Sequence, residues 1–342
     1  MLWLLTCTLL LAPSSDKSTD DSVDVAIIVV VGEPGEAKYH ELFTQWADRW
    51  QTAAKRSTSQ LVTIGLDEGG SSQKKDRPLL KETLESLGKA PPQTLWLVLI
   101  GHGTFDGKQA KFNLRGPDIS AEELAELIAP ISSRMAIINC ASASGPFVKQ
   151  LSGRDRVVIS ATQSGFEYNF ARFGDFLSQT IGNTSGDLDK DGQTSLLEAW
   201  LAASKQTQNY YDSNSQLATE HALLDDNGDG KGTPADWFRG IYVTKASKDG
   251  SLPDGTLANQ FVLVSSDEEL QLSAELVTKR DQLEHQLAEL RQKRSKLSEE
   301  EYLHHLQEIL VPLARVYQAG ETSGDENPDS EPMEQAEQGK RD

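Results

Sequence analysis

The chain has 342 residues, enough for one large or two modest domains with a substantial apolar core. Its 52 Asp and Glu residues outnumber its 33 Lys and Arg residues, which gives a formal net charge of −19. That charge argues against nucleic acid and anionic membranes as partners, and it suits a soluble protein that binds cations.

The first 23 residues form a distinct segment. The stretch LWLLTCTLLLA, which includes Cys7, has about ten apolar residues, whereas a membrane-spanning helix needs about 20. It is similar to the apolar region of a signal peptide, and a polar stretch follows it. We therefore expect residues 1–23 to be a signal-like segment with a linker, and the protein to be exported to the periplasm or the extracellular space. No other apolar run approaches the length of a transmembrane segment.

Between residues 24 and 265, apolar strands alternate with helices of amphipathic pattern. The strand signals are VAIIVVVG (25–32), LVTIGLD (61–67), LWLVLIGHG (95–103), RMAIINC (134–140) and RVVISAT (156–162). Strands that are apolar throughout are typical of a parallel sheet covered on both faces. The sequence thus predicts an α/β domain over 24–265, with a mainly parallel sheet and helices on both faces.

Shorter signals add local detail to this domain. Ser120 and Glu123 have the spacing of a capping box, so they predict a helix that begins at residue 121. The pair Asp106-Gly107 is typical of a hairpin turn. GIYVTKA (240–246) and NQFVLVSS (259–266) are candidates for further strands.

His102 and Cys140 each end one of the predicted strands. Since catalytic groups of parallel sheets gather at the carboxyl ends of strands, the two side chains meet at one edge if the strands are neighbours. The imidazole can then act as a base for the thiol or hold a thiolate. Gly103 allows close approach, and the amides of Gly103 and Cys140 suit an oxyanion hole. A buried, inert thiol is the alternative for Cys140.

These two strand ends carry a family resemblance. LVLIGHG, followed by INCASASG, resembles the caspase/legumain-like (clan CD) cysteine peptidases, and CASASG at 140–145 is closest to bacterial legumain-like members. The resemblance covers about residues 24 to 245. It implies a caspase/legumain-like fold, a catalytic dyad of His102 and Cys140, and an oxyanion hole shared by Gly103 and the Cys140 amide.

The sequence departs from legumains directly before the cysteine. Legumains have an acidic residue and Ala there, whereas this chain has Ile138 and Asn139. A preference for Asn or Asp at the cleavage site therefore does not transfer. In the family, the segment after the next strand lines the substrate pocket, which makes substrate-binding candidates by position of Thr162, Ser164 and Glu167. An acidic Glu167 would favour a basic or polar substrate side chain.

DLDKDGQTSLLE at 187–198 fits the EF-hand loop, with Gly192 for the sharp turn. Thr194 is a departure, because Ile or Val is usual there. The motif predicts structural Ca²⁺ with these ligands: the Asp187, Asp189 and Asp191 carboxylates, the Gln193 carbonyl, Ser195 through a water, and both oxygens of Glu198. The alternative is a solvated acidic turn.

DDNGDGKGTPAD at 225–236 is a partial second version of the same pattern. Pro234 disturbs the exit into a helix, and an Asp stands where the final Glu belongs. Metal binding and a solvated turn both remain open here. The ligands would be Asp225, Asn227, Asp229 and Asp236.

Residues 266–319 are predicted to form a helical hairpin or short coiled coil. Leucines recur at nearly heptad spacing, and Ser298 with Glu301 predicts a second helix after a break near Leu297. Because an isolated two-helix unit buries little apolar area, we expect it to pack on the α/β domain or to mediate self-association through 267–318. Residues 320–342 lack apolar content and are predicted to be a disordered acidic tail.

Two functions from different classes follow. The first is an exported, calcium-stabilised cysteine endopeptidase that hydrolyses peptide or protein substrates through an acyl-enzyme. The second is a catalytically inactive, calcium-binding interaction or scaffold protein with a peptidase-like fold. A serine hydrolase is less well supported, because the chain has no G-x-S-x-G motif.

Overall fold

The computed structural model describes residues 24–57, 59–66, 76–245, 253–267 and 269–324. The signal-like segment predicted at 1–23 and residues 325–342 of the predicted tail lie outside the described residues. In the described ranges, none of the helices is both long enough and apolar enough to cross a membrane.

The strands follow the apolar runs of the sequence. They are β1 (Val25–Val31), β2 (Gln60–Ile64), β3 (Thr94–Ile100), β4 (Gly103–Phe105), β5 (Ala110–Phe112), β6 (Ile119–Ser120), β7 (Arg134–Asn139), β8 (Arg156–Ser160), β9 (Leu223–Asp225), β10 (Thr233–Pro234), β11 (Phe238–Arg239) and β12 (Tyr242–Val243). The main sheet has the order β10-β9-β8-β7-β3-β1-β2. In this sheet the neighbouring strands β2, β1, β3, β7 and β8 are parallel to one another. Strands β9 and β10 add an antiparallel edge beside β8.

Helices cover both faces of this sheet. The helices of the described residues, in chain order, are α1 (Ala37–Arg56), α2 (Asp76–Lys89), α3 (Ala121–Ile128), α4 (Gly145–Leu151), α5 (Phe173–Thr180), α6 (Leu196–Ser213), α7 (Thr256–Asn259), α8 (Ala274–Lys293) and α9 (Glu299–Gly324). Alternate residues of β1 pack into two separate apolar clusters, one with α1, α5 and α6 and the other with α2, α3 and α4. The predicted α/β architecture, a mainly parallel sheet with helices on both faces, is confirmed.

The connection from β3 to β7 explains why these two strands are neighbours. It consists of a small antiparallel sheet, β4-β5-β6, followed by α3. The predicted turn at Asp106-Gly107 joins β4 to β5, with Gly107 at a φ of 92°. The predicted capping box of Ser120 and Glu123 starts α3. This single crossover returns the chain beside β3.

The two tentative late strands differ from the prediction. From GIYVTKA, only Tyr242–Val243 is a strand, paired with β11 outside the main sheet. In NQFVLVSS, Val262 makes a single bridge to Ser195. This segment forms no longer strand because the segment that it pairs with turns into a helix. The Leu196 amide donates to the Phe261 carbonyl at 2.7 Å, but α6 begins at Leu196, so the β-ladder cannot continue.

The C-terminal helices α8 and α9 form the predicted hairpin, with a short 3-10 turn (Arg294–Lys296) between them. Its apolar side chains make a cluster of their own: Leu283, Leu287, Leu290, Ile309 and Val316. The hairpin contacts the α/β domain through Asp281, which faces Arg134 at 3.7 Å and whose carbonyl accepts a hydrogen bond from Gln260 at 3.1 Å. Helix α9 continues to Gly324, past the predicted start of the tail at residue 320.

Candidate active site and acidic loops

His102 and Cys140 lie at the carboxyl edge of two adjacent parallel strands. Cys140 directly follows β7, and His102 follows β3 by two residues. Leu99 of β3 is opposite Asn139 of β7, and the Cys140 amide donates to the Leu99 carbonyl at 2.9 Å. The strand pairing thus places two residues that are distant in sequence at the same edge of the sheet.

Aromatic side chains surround the His102 ring. Tyr39 contacts it edge-on with ring centroids 4.6 Å apart, Phe43 lies at 5.2 Å and Phe170 at 6.0 Å. Burial lowers the pKa of His102, although a hydrogen bond to the Pro34 carbonyl opposes that effect. The imidazole is therefore neutral at neutral pH, and a neutral ring retains one nitrogen that can accept a proton.

Cys140 is buried in this conformation, with 1% of its surface exposed. Gly174 of α5 seals it so closely that a methyl group there would lie 2.6 Å from the Cys140 Cβ and 2.9 Å from the Trp46 ring. Burial, together with the Glu220 carboxylate, raises the pKa of the thiol to about 12. The described state therefore holds a protonated, covered thiol.

Glu220 is a residue of this site that the sequence did not indicate. Its carboxylate accepts hydrogen bonds from the amides of Arg172 and Phe173 at 2.8–3.0 Å, and from the Tyr211 hydroxyl at 3.0 Å. Burial raises the pKa of Glu220. The sequence around Glu220 contains no motif that would have indicated this role. Its carboxylate caps the start of α5, and only the packing of the chain brings these distant residues together.

Gly103 lies against the loop that follows Cys140. A side chain there would meet the Ser142 carbonyl at 2.2 Å, so glycine is needed for contact with the loop after Cys140. The Gly103 amide donates to the Ser142 hydroxyl at 3.4 Å. Since the Cys140 amide is bonded to Leu99, both amides of the expected oxyanion hole already have partners.

The loop after Cys140 is fastened to the loop after β8. Ala143 has a φ of 54°, and its amide donates to the Glu167 carbonyl at 2.8 Å. Ser144 and Thr162 join their hydroxyls at 3.2 Å, and the Gly145 amide donates to the Thr162 hydroxyl at 3.1 Å. These contacts fix the CASASG run rigidly beside the neighbouring strand end.

The three predicted substrate-binding residues lie in this second loop but differ in exposure. Thr162 is fully buried and is hydrogen-bonded to the CASASG run, so it stabilises the position of that run. The Ser164 hydroxyl accepts from the Phe166 amide at 3.3 Å. Glu167 bonds the His221 ring at 2.6 Å and the Gln163 amide at 2.8 Å. Because these groups occupy the Glu167 carboxylate, it is not a free counterion for a basic substrate.

A cavity of about 420 Å³ lies beside this site. Its lining includes Phe170, Arg172, Tyr211 and Leu217. Phe170 also packs against His102, so one lining residue of the cavity is in contact with the imidazole.

Acidic loop 1 (residues 187–198) brings three of its predicted ligands together. Asp187, Asp189 and Asp191 bring carboxylate oxygens within 4.8 Å of one another. Gly192 has a φ of 86°, as the sharp turn requires. Partial burial and the neighbouring carboxylates raise the pKa of Asp189 to about 6. Such converging carboxylates fit a hard divalent cation.

The remaining predicted ligands of acidic loop 1 lie at the start of α6. Ser195 is the N-cap and forms a capping box with Glu198, whose carboxylate also accepts from the amides of Leu188 and Asp189. The Gln193 side chain bonds Asp191 and the Ser266 amide. The entry to the loop is a 3-10 turn (Thr184–Gly186), whereas the pattern predicts a helix there.

Acidic loop 2 (residues 225–236) departs from the prediction at its last ligand. Asp225 ends β9 and is fully buried, whereas Asp236 lies in a 3-10 turn with its side chain 70% exposed. Asp236 is paired with Lys245 at 2.6 Å. Because β10 ends the loop in place of a helix, residue 236 is not turned back toward the other acidic groups as an exiting helix would turn it.

Two buried carboxylates, Asp226 within acidic loop 2 and Asp254 outside it, were missed by the sequence analysis. Asp226 accepts from the amides of Gly255 and Ala258, and Asp254 accepts from the amides of Asp226 and Asn227. Burial raises the pKa of both Asp226 and Asp254. The contact of Asp254 with acidic loop 2 could not be predicted from a local motif, because Asp254 lies far along the chain from that loop.

No protein-family model matches this chain, and no curated protein matches it. Among solved structures it is similar to the Drosophila initiator caspase Dronc, with a TM-score of 0.40 and 12% identity, covering 61% of this chain and 81% of that one. It is also similar to caspase-1 from Spodoptera frugiperda, with a TM-score of 0.38 and 9% identity, covering 60% and 88%. At such low scores and identities, these neighbours assign no activity to the chain.

Proposed function

We propose that this protein is a cysteine endopeptidase with Cys140 as the nucleophile and His102 as the base. The observation that carries the proposal is the meeting of the two strand ends. His102 and Cys140 leave adjacent parallel strands at one carboxyl edge, which is where α/β proteins gather their catalytic groups. The resemblance of LVLIGHG and CASASG to clan CD motifs supports the same assignment.

The chemistry follows from these two groups. His102 accepts the thiol proton as the Cys140 sulfur attacks the peptide carbonyl carbon. The protonated imidazole then gives that proton to the leaving amine as the C–N bond breaks, which leaves an acyl-enzyme. Water, deprotonated by His102, attacks the thioester and releases the carboxylic acid and the thiol.

This reaction requires an opened form of the site. The Cys140 sulfur has to be uncovered from beneath Gly174, and Phe170 has to move off His102. The Gly103 amide has to exchange its bond to the Ser142 hydroxyl for the substrate oxygen. We therefore propose that the described conformation is a latent form, and that substrate binds the opened one.

The surface around the site favours apolar substrate side chains. Phe166 and Tyr168 are 71% and 72% exposed, and Phe166 packs edge-on against Phe105 of β4 at 5.2 Å. Exposed aromatic rings beside a site offer contact area to a peptide. The Glu167 carboxylate is bonded to His221 and Gln163. We therefore propose a preference for apolar substrate side chains in place of the basic or polar ones that the sequence suggested.

Peptide electrophiles and fluorogenic peptides test the proposal. We expect chloromethyl ketones with an apolar residue before the warhead to label Cys140 faster than they label free cysteine, and matched peptides to be cleaved in the presence of calcium. Basic analogues are the matched comparison. Labelling no faster than free cysteine, together with no cleavage across a peptide library, contradicts catalysis.

A second function is favoured by one specific observation. Cys140 is 1% exposed and its pKa is raised to about 12, which is the environment of an inert core thiol. Under that alternative the protein is a non-catalytic, calcium-binding scaffold. The electrophile experiment separates the two functions, because only a site that opens reacts.

We propose that acidic loop 1 binds structural Ca²⁺. Its support is the convergence of Asp187, Asp189 and Asp191, with Glu198 at the twelfth position. Calcium sites of exported proteins are often weak and are filled at millimolar concentrations. Export remains a proposal on the basis of the signal-like residues 1–23.

We also propose that residues 267–318 mediate self-association. Leu303, Leu310 and Tyr317 recur every seven residues along α9 and are 54%, 42% and 45% exposed. A seven-residue apolar repeat is the pattern by which helices pair. A second copy of this chain presents the same stripe and is the partner we expect.

A further inference from the structure

The two acidic loops share several hydrogen bonds from backbone amides to loop carboxylates, although their sequences differ in the last third. In each loop the carboxylate at position 1 accepts a hydrogen bond from the amide at position 4: Asp187 from Lys190 at 2.6 Å, and Asp225 from Gly228 at 3.1 Å. The residues at position 4 share a left-handed conformation, with φ values of 68° and 79°. The first turn of acidic loop 2 therefore repeats that of acidic loop 1.

The agreement continues through the middle of the loops. The carboxylate at position 5 accepts from the amide at position 7 in both cases: Asp191 from Gln193 at 3.0 Å, and Asp229 from Lys231 at 2.9 Å. The position 1 and position 5 carboxylates of acidic loop 2 thus each accept a bond that their counterparts in acidic loop 1 also accept.

The closing carboxylate also has a counterpart, but from another part of the chain. In acidic loop 1, Glu198 Oε1 accepts from the amides at positions 2 and 3 at 2.7 and 3.2 Å, and Oε2 accepts from the Ser195 hydroxyl at position 9 at 2.8 Å. In acidic loop 2, Asp254 Oδ1 accepts from the amides at positions 2 and 3 at 2.9 and 3.1 Å. Its Oδ2 accepts from the Thr233 hydroxyl at position 9 at 2.5 Å. Asp254 therefore takes the place that Glu198 has in acidic loop 1.

An independent observation points to a cation at acidic loop 2. Asp225 is 0% exposed, and its Oδ2 has no hydrogen-bond partner of ordinary geometry in the described structure. The Ser152 hydroxyl lies beside this carboxylate but does not reach it with ordinary hydrogen-bond geometry. A buried carboxylate oxygen without a donor costs free energy, and a bound cation removes that cost. The other oxygen of Asp225 bonds the loop backbone, so the carboxylate faces the loop.

We infer that acidic loop 2 is a second calcium site, closed by Asp254 in place of the twelfth-position residue Asp236. Its side-chain ligands are Asp225, Asn227 and Asp229, and the Lys231 carbonyl stands at position 7, where the EF-hand pattern uses a main-chain oxygen. All of these donors are oxygens, which is the set that Ca²⁺ prefers over softer metals.

This site would fasten a distant segment to the sheet edge. Asp254 precedes α7, and the same segment continues to Val262, which bridges to Ser195 of acidic loop 1. Binding in acidic loop 2 therefore fixes the chain that also contacts acidic loop 1. The inference does not depend on peptidase activity.

Calorimetric titration of the chelator-treated full chain with CaCl₂ tests the inference. We expect two sites in the wild type, one site in E198Q and one site in D254N, with affinity at the affected site lowered by about 10–100-fold. D236N is the matched control and keeps two sites. A D254N protein that binds like the wild type, or a D236N protein that loses a site, overturns the inference.

Two further measurements cover the case in which D254N does not fold. D229N alters a partly exposed loop position and should lose the same site, so wild-type binding by D229N contradicts the inference. A crystal structure with calcium should show an Asp254 oxygen about 2.3–2.6 Å from a cation in acidic loop 2. A cation there that is held by Asp236, or no cation at all, rules out closure by Asp254. Because E198Q reports on acidic loop 1 alone, failure at either loop is distinguishable.

Discussion

The strand-end pair and acidic loop 1 differ in how their residues are brought together. In acidic loop 1 the predicted ligands lie within twelve consecutive residues, and three of them, Asp187, Asp189 and Asp191, bring carboxylate oxygens within 4.8 Å of one another. His102 and Cys140 come to the same sheet edge only because β3 and β7 pair, and Gly174 of α5 packs against the thiol residue. A contiguous motif therefore determines its own geometry, whereas a site made from distant strands depends on packing that no motif specifies.

The largest expected effect is on the strand-end pair. Cys140→Ala should lower peptide cleavage by about 10³-fold or more, because it removes the nucleophile. The melting temperature should change little, since loss of one buried sulfur costs about 1 kcal/mol. Cleavage assays and thermal melts of the two proteins provide the check. Cleavage that survives in Cys140→Ala would assign the activity to another group.

The matching change in acidic loop 1 is Glu198→Gln. Calcium at 100 times its dissociation constant stabilises a folded protein by about 2.7 kcal/mol, and this substitution should remove most of that gain. Melts of chelated protein with and without millimolar calcium measure the effect, with Glu41→Gln on the exposed face of α1 as the control. The absence of any calcium shift in the wild type would count against the loop as a metal site.

The fold was largely readable from the sequence, and the sites only in part. Continuous apolar runs gave the parallel strands, and the capping boxes at Ser120 and Ser298 marked helix starts, because these signals are local. Gly174, Glu220 and Asp254 were missed, because each acts on residues that only tertiary packing brings near it. The exposed position of Asp236 was not foreseen, because the pattern assumes an exiting helix and the chain forms β10 there.

A substitution at Gly174 tests how tightly the thiol is covered. Gly174→Ala should destabilise the fold by about 1–3 kcal/mol, because the new methyl group would meet Cys140 at 2.6 Å and Trp46 at 2.9 Å. Gly88→Ala, also in a helix, is the matched control. Its methyl group would have 3.7 Å to its nearest neighbour, so it should stabilise the fold by about 0.5–1 kcal/mol. The free energies of unfolding of both variants, measured by denaturant unfolding, test this expectation. Equal changes in the two variants would mean that α5 does not cover the thiol closely.

The buried thiol also predicts a dependence of stability on pH. The pKa of Cys140 is raised from an ordinary 9.0 to about 12 in the folded state, so the unfolded chain loses that proton first. The contribution of this group to stability is complete below pH 9 and is lost as the pH rises toward 12. Unfolding free energies at pH 7 to 11 should therefore fall more steeply in the wild type than in Cys140→Ala. Parallel curves would show that the thiol is solvated.

The smallest expected effect on the α/β domain comes from removing the hairpin. Deletion of residues 267–342 removes polar and cation–π contacts of the described hairpin residues with that domain, such as Asp281 with Arg134 at 3.7 Å, the Gln260 hydrogen bond, and Arg291 over the Tyr242 ring at 4.3 Å. Partly exposed pairs of this kind contribute about 0–1 kcal/mol each. The hairpin's apolar cluster is internal, so its loss uncovers little of the main core. The truncated protein should stay folded with its calcium response intact.

The same deletion should change the oligomeric state, because the apolar stripe of Leu303, Leu310 and Tyr317 is 54%, 42% and 45% exposed in the described part of the chain. Sedimentation velocity should give a dimer for the full chain and a monomer for the truncated one. Leu303→Ser with Leu310→Ser in the full chain isolates the stripe from the rest of the hairpin, and it should also give a monomer. If the truncated protein is folded, monodisperse and unchanged in oligomeric state, the stripe does not pair two copies, and the hairpin is an arm available to other partners.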